Sequence, residues 1–210
     1  MVDSGAPTPA EDGTLVLTAR RGGPGAAGRC PVSGVADLRA LVVEHERETP
    51  GGRIQGLLED RVGSVDVLPV DIESAPVPAA AEYDLIVSLG SEFAAFDDHK
   101  PFVPREARLM EKAAQDDVPV LGLCFGGQML ARVLGGEVSR GDVAEIGWLP
   151  VRTTDPELVP EGPWFQWHFD NFTTPPGATL IAESDVGPQA FVAGRSLGLQ
   201  FHPEVTPAIM

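Results

Sequence analysis

The residue best suited to covalent chemistry is Cys124, which lies within residues 122–128 (GLCFGGQ). The apolar run 118–123 has the length of a buried strand, and residues 125–134 follow with a helical pattern that two glycines close. Cys124 is therefore expected on a sharp strand-to-helix turn, which exposes a nucleophile at the edge of an α/β sheet. The start of the helix favours the thiolate and supplies N–H groups for an oxyanion. A small apolar residue at a tight junction fits the same pattern, so the turn alone leaves both interpretations open.

A base for this cysteine is offered by residues 200–204 (QFHPE), which end an apolar strand. Pro203 biases His202 toward extended backbone, and positions two apart in an extended chain point the same way. Glu204 is therefore expected to orient the imidazole while the other ring nitrogen faces the sulfur, as in a Cys-His-Glu triad. Without the cysteine turn, a lone His-Pro-Glu would be interpreted as a surface turn.

Together the two segments resemble the signatures of class I glutamine amidotransferase domains, a Gly-x-Cys-x-Gly-x-Gln turn and a terminal His-Pro-Glu. The resemblance extends over residues 83–205 and includes residues 145–148 (EIGW) and the His-x-Asp segment 168–170. In this respect the chain looks like the amidotransferase domain of GMP synthases, here as a stand-alone chain. The two motifs in this order are highly specific.

The resemblance implies a role for each matched residue. Cys124 attacks the side-chain amide of glutamine, His202 carries the protons and Glu204 orients the imidazole, with a glutamyl thioester as intermediate. The implied oxyanion hole consists of backbone groups of Phe125, Gly90 and Ser91; many relatives have two consecutive glycines where this chain has Gly90 and Ser91. The implied glutamine-binding residues are Gln128, Gly126, His168 and Asp170.

The elements around these residues alternate between strands and helices. Strands are predicted at residues 14–19, 65–70, 83–89 and 118–123, and helices at 54–62, 105–115 and 125–134. Continuous apolar strands separated by helices are typical of a parallel sheet covered on both faces. Shorter strands follow, at 148–152, 164–169, 179–183, 189–192 and 197–201. We therefore predict an α/β fold, a single three-layer domain with a mostly parallel central sheet flanked by helices and an antiparallel C-terminal extension, which is the flavodoxin-like fold that the resemblance implies.

The chain has 210 residues, 43% of them hydrophobic, which suits one sizeable core. Residues 1–13 are small, acidic and Pro-containing, so they are predicted to be a flexible segment rather than a secretory signal, with the domain at residues 14–210. The sequence of residues 20–50 fits either a helix with loops or a mobile excursion.

A net charge of −16 argues against nucleic acid and membrane surfaces as partners. Two cysteines in unlike contexts predict no disulfide and a reduced, cytoplasmic setting. No cluster of residues in the sequence has the spacing of metal ligands, and neither a P-loop nor a Gly-x-Gly-x-x-Gly motif follows a strand. Neither a metal nor a cofactor is therefore predicted.

The remaining candidates receive plainer interpretations. Cys30 is predicted to be a free thiol, and His45 and His99 to be solvated, because they lie among charges. His168 fits either a packed core position or a place beside the site. The three tryptophans are predicted in the core or an interface: Trp148, Trp164 and Trp167.

Three functions fit the motifs. The first is a glutaminase subunit that supplies ammonia to a separate synthetase or ligase, because no acceptor-binding motif is present. The second is a stand-alone hydrolase of γ-glutamyl peptides, which activity on such peptides above that on glutamine would favour. The third is a non-catalytic regulatory subunit, which the presence of Cys124, His202 and Glu204 disfavours.

Overall fold

The structure is a computed structural model that describes residues 35–46, 50–70 and 75–207, all within the compact unit Val32–Met210. The predicted segment 1–13, the predicted strand 14–19 and Cys30 lie outside the described residues. The domain boundary at residue 14 therefore stays a prediction.

The described residues form ten strands and three α-helices. The strands are β1 (Arg39–Glu44), β2 (Ser64–Pro69), β3 (Leu85–Ser88), β4 (Val120–Leu123), β5 (Val138–Leu149), β6 (Arg152–Thr153), β7 (Trp164–Phe172), β8 (Thr179–Glu183), β9 (Pro188–Ala193) and β10 (Ser196–Leu199). The helices are α1 (Gly52–Arg61), α2 (Phe102–Gln115) and α3 (Phe125–Val133). All three predicted helices are confirmed with shifted ends, whereas β5 begins ten residues before the strand predicted at 148–152. In these ranges no helix is long and apolar enough to cross a membrane.

Eight strands form one sheet in the order β2-β1-β3-β4-β10-β9-β8-β6. Strands β2, β1, β3, β4 and β10 are parallel, and β9, β8 and β6 continue the sheet by antiparallel pairs. The predicted fold class is thus confirmed. One detail is wrong: the last strand, predicted in the antiparallel extension, is β10 and pairs in parallel with β4. A short apolar run has the same pattern in either direction, so the sequence does not distinguish the two.

Helices cover both faces of the parallel strands. In β1, Leu41 and Val43 join the core formed with α2 and α3, while Ala40 and Val42 join a second core with Leu58 of α1. Successive side chains of a strand point to opposite faces, so one apolar run supplies both cores. This gives the three layers that the sequence predicts.

Strand β1 corrects the interpretation of residues 20–50. Within that interval Arg39–Glu44 is an inner strand between β2 and β3, neither a helix nor an excursion. Residues 40–43 are at most 1% exposed, which suits a central strand buried on both faces. Residues 20–34 and 47–49 lie outside the described part of the chain.

Strands β5 and β7 form a separate antiparallel ribbon. Along β7, Gln166, His168 and Asp170 are buried, while Trp167 and Phe169 are exposed. The ribbon therefore has a polar face turned into the protein and an apolar face turned outward.

Candidate active site

Four parallel strands end at the same edge of the sheet, and each is followed by a polar or flexible residue. His45 follows β1, Gly90 follows β3, Cys124 follows β4 and His202 follows β10. The carboxyl ends of parallel strands are where α/β proteins place their sites. The topology therefore gathers residues that are far apart in the sequence.

Cys124 lies at the turn between β4 and α3. Its backbone has φ 51° and ψ −105°, a left-handed conformation that residues other than glycine rarely adopt. The carbonyl of Cys124 accepts a hydrogen bond from the N–H of Gln128 (2.9 Å), the first bond of the helix. The turn holds the side chain in a strained position at the helix N-terminus, as a nucleophile elbow does.

Glycines allow helix α3 to approach the strand ends closely. A Cβ atom on Gly126 would overlap the carbonyl oxygen of Ser88 in β3, and one on Gly127 would overlap the carbonyl oxygen of Leu199 in β10. Helix α3 thus lies directly against both strands. The packing of Gly126 against Ser88 is a structural requirement, and its predicted part in binding glutamine stays a prediction.

His202 and Glu204 point together after β10. Nδ1 of His202 lies 2.7 Å from Oε1 of Glu204. The N–H of His202 donates to the carbonyl of Phe165 (2.9 Å), and the carbonyl of Glu204 accepts from the N–H of Arg53 (3.0 Å). The backbone of this pair is therefore fixed by β7 on one side and by α1 on the other.

The surroundings of His202 favour its protonated form. Burial acts to lower the pKa of His202, but the charge and hydrogen bonding of Cys124, followed by those of Glu204, outweigh burial and raise the pKa well above its usual value. Its Nε2 atom is buried and forms no well-aligned hydrogen bond within the described ranges. This nitrogen is therefore the one that Glu204 does not engage.

Gly90 borders both Cys124 and His202. A Cβ atom there would be 3.0 Å from Cε1 of His202 and 3.8 Å from Cβ of Cys124. The loop is held on both sides, because the carbonyl of Leu89 accepts from the N–H of Gly126 (3.1 Å) and Oγ of Ser91 donates to Glu46 (2.7 Å).

The N–H of Phe125 is the first of helix α3 and has no intrahelical acceptor. Of the residues predicted for an oxyanion hole, Phe125 directly follows Cys124 and Gly90 borders it, while Ser91 follows Gly90 in the same loop. Their roles in that hole stay predictions.

Gln128, His168 and Asp170 form a buried cluster around one backbone carbonyl. Nε2 of Gln128 and Nδ1 of His168 donate to the carbonyl of Asp170, at 2.9 Å and 3.1 Å. Nε2 of His168 lies 3.1 Å from Oε2 of Glu145, at an angle poor for a hydrogen bond. Burial acts to raise the pKa of Glu145, but interactions led by His168 outweigh it and lower the pKa. The structure brings the three residues together, and their roles in binding glutamine stay predictions.

His45 is 2% exposed, so the prediction that it is solvated is wrong. Its Nε2 lies 2.7 Å from Oε2 of Glu106 in α2, and its Nδ1 lies 2.9 Å from the carbonyl oxygen of Gly90. The charges around it in the sequence suggested solvent, yet it directly follows an inner strand. Its place directly after the strand was the sequence signal that could have predicted the burial of His45. Glu106 lies in a charged helix, so the sequence gives no sign that it is buried. His99 is exposed, as predicted.

An exposed apolar face, which we call the aromatic face, is formed by four residues of the ribbon: Ile146, Trp148, Trp167 and Phe169, all 41–57% exposed. Trp148 and Trp167 are therefore not core residues, while Trp164 is partly buried and stacks on Phe201 with ring centroids 4.7 Å apart. The carbonyl of Trp167 lies 3.9 Å from Sγ of Cys124. Strand β7, which carries Trp167 and Phe169, thus passes beside Cys124.

The sequence matches one protein family, glutamine amidotransferase class-I, over residues 56–209. Among curated proteins it is similar to a GMP synthase [glutamine-hydrolyzing] of Vibrio vulnificus, 31% identical over 185 residues that cover 82% of this chain and 34% of the relative. A GMP synthase [glutamine-hydrolyzing] of Thermus thermophilus is 37% identical over 148 residues, 66% of this chain and 28% of the relative. The chain thus spans about a third of the length of these curated relatives.

Solved structures give the same result. A glutamine amidotransferase from Thermotoga maritima is 34% identical, with a TM-score of 0.76 over 82% of this chain and 78% of that one. A glutamine amido transferase from Methylobacillus flagellatus is 30% identical, with a TM-score of 0.73 over 82% of this chain and 73% of that one.

Proposed function

This chain belongs to the class I glutamine amidotransferase family, and we propose on that basis that it hydrolyses the side-chain amide of glutamine to glutamate and ammonia. Cys124 is the nucleophile, His202 the proton carrier and Glu204 the residue that orients the imidazole. One contact supports the proposal most directly: Nδ1 of His202 lies 2.7 Å from Oε1 of Glu204, which leaves Nε2 as the ring nitrogen available to Cys124.

In the first half-reaction the Cys124 thiolate attacks the amide carbon, and the electrons of the carbonyl double bond move to its oxygen. The oxyanion accepts hydrogen bonds from the N–H groups of Phe125 and of the loop at Gly90 and Ser91. As the carbonyl reforms, the C–N bond breaks and Nε2 of His202 gives its proton to the departing ammonia. A glutamyl thioester remains on the sulfur.

In the second half-reaction Nε2 of His202 removes a proton from water, which attacks the thioester carbon. The S–C bond then breaks, glutamate leaves, and the thiolate and the imidazolium are restored. Glu204 stabilises the imidazolium in both halves because its carboxylate accepts from Nδ1. The net reaction consumes glutamine and water and yields glutamate and ammonia.

We assign recognition of the substrate's α-amino and α-carboxylate groups to Gln128, Gly126, His168 and Asp170. All lie on α3 or on β7, the two elements that border Cys124. The hydrogen bonds that join Gln128 and His168 to the Asp170 carbonyl hold this surface in one arrangement. Support for these roles comes from the matched motifs and this placement.

We further propose that a separate synthetase or ligase docks on the aromatic face and receives the ammonia. Exposed aromatic side chains of this kind are enriched in the centres of protein interfaces. The backbone carbonyl of Trp167, a member of this face, lies 3.9 Å from the Cys124 sulfur, so a partner seated on the face would lie close to the point at which ammonia is released. The GMP synthases named above, of which this chain spans about a third, motivate a nucleotide-forming acceptor reaction.

The test measures glutamate and ammonia release by the wild type, Cys124→Ser and Cys124→Ala. Both substitutions should lower kcat by at least about 10³-fold while the melting temperature stays within a few degrees, because one small side chain replaces another. A glutamine analogue with a diazoketone should modify Cys124, as peptide mass mapping would show, and spare Cys30. Near wild-type activity in Cys124→Ser would exclude this nucleophile. Faster hydrolysis of γ-glutamyl peptides than of glutamine would favour a stand-alone hydrolase instead.

A further inference from the structure

The described chain contains a second buried histidine–carboxylate pair, apart from His202 and Glu204. Nε2 of His45 lies 2.7 Å from Oε2 of Glu106, and both side chains are completely buried. Ser88 donates to the other carboxylate oxygen of Glu106, with an O···O distance of 2.5 Å. Burying two ionisable groups is unfavourable unless they are paired, and hydrophobic residues of similar volume serve stability as well. A purely structural role therefore gives little reason for this pair.

The surroundings of His45 favour the imidazolium. The ring packs edge-on against Phe125, with centroids 4.5 Å apart. Burial acts to lower the pKa of His45, but the charge and hydrogen bond of Glu106, the charge of Glu46 and the bond to Gly90 outweigh it and raise the pKa. A doubly protonated ring donates from both nitrogens. Nε2–H therefore donates to Glu106, and Nδ1–H donates to the carbonyl of Gly90 at 2.9 Å.

The hydrogen bond to Gly90 fixes the direction of one peptide group. In a trans peptide the C=O and the following N–H point in opposite directions, so a Gly90 carbonyl directed at His45 sends the Ser91 N–H away from His45. A Cβ atom on Gly90 would lie 3.0 Å from Cε1 of His202 and 3.8 Å from Cβ of Cys124, so this peptide borders both proposed catalytic residues. Glycine has no Cβ to restrict its rotation, so another group must hold the peptide.

We propose that His45, oriented by Glu106, is a positioning residue for the oxyanion hole, which it serves by holding the Gly90–Ser91 peptide with its N–H toward the carbonyl under attack at Cys124. This inference rests on the proposed glutamine hydrolysis. The hydrogen bonds at Leu89 and Ser91 hold the flanks of the loop, but among the described residues only His45 engages the Gly90 carbonyl. Without His45 this carbonyl oxygen can turn toward the developing oxyanion, which it would repel. Removing one oxyanion-hole donor lowers kcat by about 10²–10³-fold in enzymes where this has been measured.

The first experiment compares wild type, His45→Leu and His45→Asn in glutaminase assays. His45→Leu should lower kcat by about tenfold or more with KM changed less than about threefold, because the hole acts on the transition state. His45→Asn places an N–H donor near the position of Nδ1 and should recover part of the loss. As a control, iodoacetamide alkylation of Cys124 forms an S–C bond and expels iodide without any oxyanion, so its rate should change less than about twofold.

Glu106→Gln serves as a second variant if His45→Leu folds poorly. It keeps the shape of the side chain but removes the charge that orients the imidazolium, so kcat should fall by several-fold at unchanged alkylation rate. Equal kcat in wild type and all variants would overturn the positioning role. A parallel loss of kcat and alkylation rate would also overturn it, since it would indicate damage to the Cys124–His202 pair.

A wild type that does not release ammonia from glutamine would exclude the proposed function, and the positioning role then has its own test. Glutamate γ-semialdehyde adds to the Cys124 thiolate: an S–C bond forms and the carbonyl oxygen takes a proton, giving a thiohemiacetal. The oxygen of this adduct occupies the oxyanion hole, so the adduct of His45→Leu should dissociate at least about tenfold more readily than that of the wild type. Unchanged affinity would contradict the role of His45.

Discussion

The backbone N–H of Cys124 donates a hydrogen bond to the carbonyl of Leu199, with an N···O distance of 2.8 Å. Leu199 is the last residue of β10, the strand that leads to His202, so this bond ties the proposed nucleophile to the strand carrying its base. The bond exists because β4 and β10 are parallel neighbours and because Gly127 lets α3 lie against Leu199. The distance between Cys124 and His202 is therefore set by backbone packing.

Gly127→Ala tests this backbone packing. The added Cβ would overlap the Leu199 carbonyl, so we expect a loss of about 1–3 kcal/mol in the free energy of unfolding and a fall in kcat as α3 moves off β10. The matched control is Gly56→Ala in α1, where a Cβ meets nothing within 4 Å. Alanine there should raise stability by up to about 1 kcal/mol and leave activity unchanged. Urea denaturation and glutaminase assays measure both, and equal stabilities of the two variants would contradict this packing.

His202→Ala should lower kcat more than Glu204→Gln does. Alanine removes the proton carrier, whereas glutamine only weakens the orientation and charge support of the imidazole. In steady-state assays at neutral pH, we expect kcat to fall by at least about 10³-fold in His202→Ala. The fall in kcat for Glu204→Gln should be about tenfold smaller. Equal or reversed losses would show that Glu204 has a different role.

Glu204→Gln should also change the pH profile. Burial acts to lower the pKa of His202 and the charges of Cys124 and Glu204 raise it, with a net upward shift. The imidazolium that must protonate ammonia is therefore lost only as the pH rises through this raised pKa. Removing the Glu204 charge should lower the pKa of His202 and move the alkaline limb of kcat to lower pH. An alkaline limb at the same pH in both proteins would exclude this control of His202 by Glu204.

The aromatic face leads us to expect that rapid glutamine hydrolysis depends on a partner. The isolated chain should hydrolyse glutamine slowly, and a cognate synthetase loaded with its acceptor should accelerate hydrolysis by at least about tenfold, because docking beside Cys124 would close the site over the substrate. Trp148→Ala should reduce this acceleration and leave the basal rate unchanged. Val67→Ala, an exposed apolar position on β2, is the control and should preserve both. Rapid turnover that the synthetase does not change would remove the partner model and favour the stand-alone hydrolase.

Several features could be predicted from the sequence because they depend on local pattern. The strand, the glycine-rich turn and the helix around Cys124 are contiguous, so their periodicity predicts the turn that the structure contains. His202 and Glu204 are two residues apart, so their contact follows from extended backbone. The alternation of apolar strands with helices likewise predicted the three-layer α/β fold.

The tertiary structure alone decided which distant segments meet. Residues 40–43 carry no signal that β1 lies between β2 and β3, and the direction of β10 is invisible in its four residues. The charges beside His45 predicted solvent, yet the end of β1 and the inner face of α2 bury it against Glu106. The physical reason is that strand order and burial arise from long-range packing, and a local run of residues determines its own conformation but not the neighbours that will cover it.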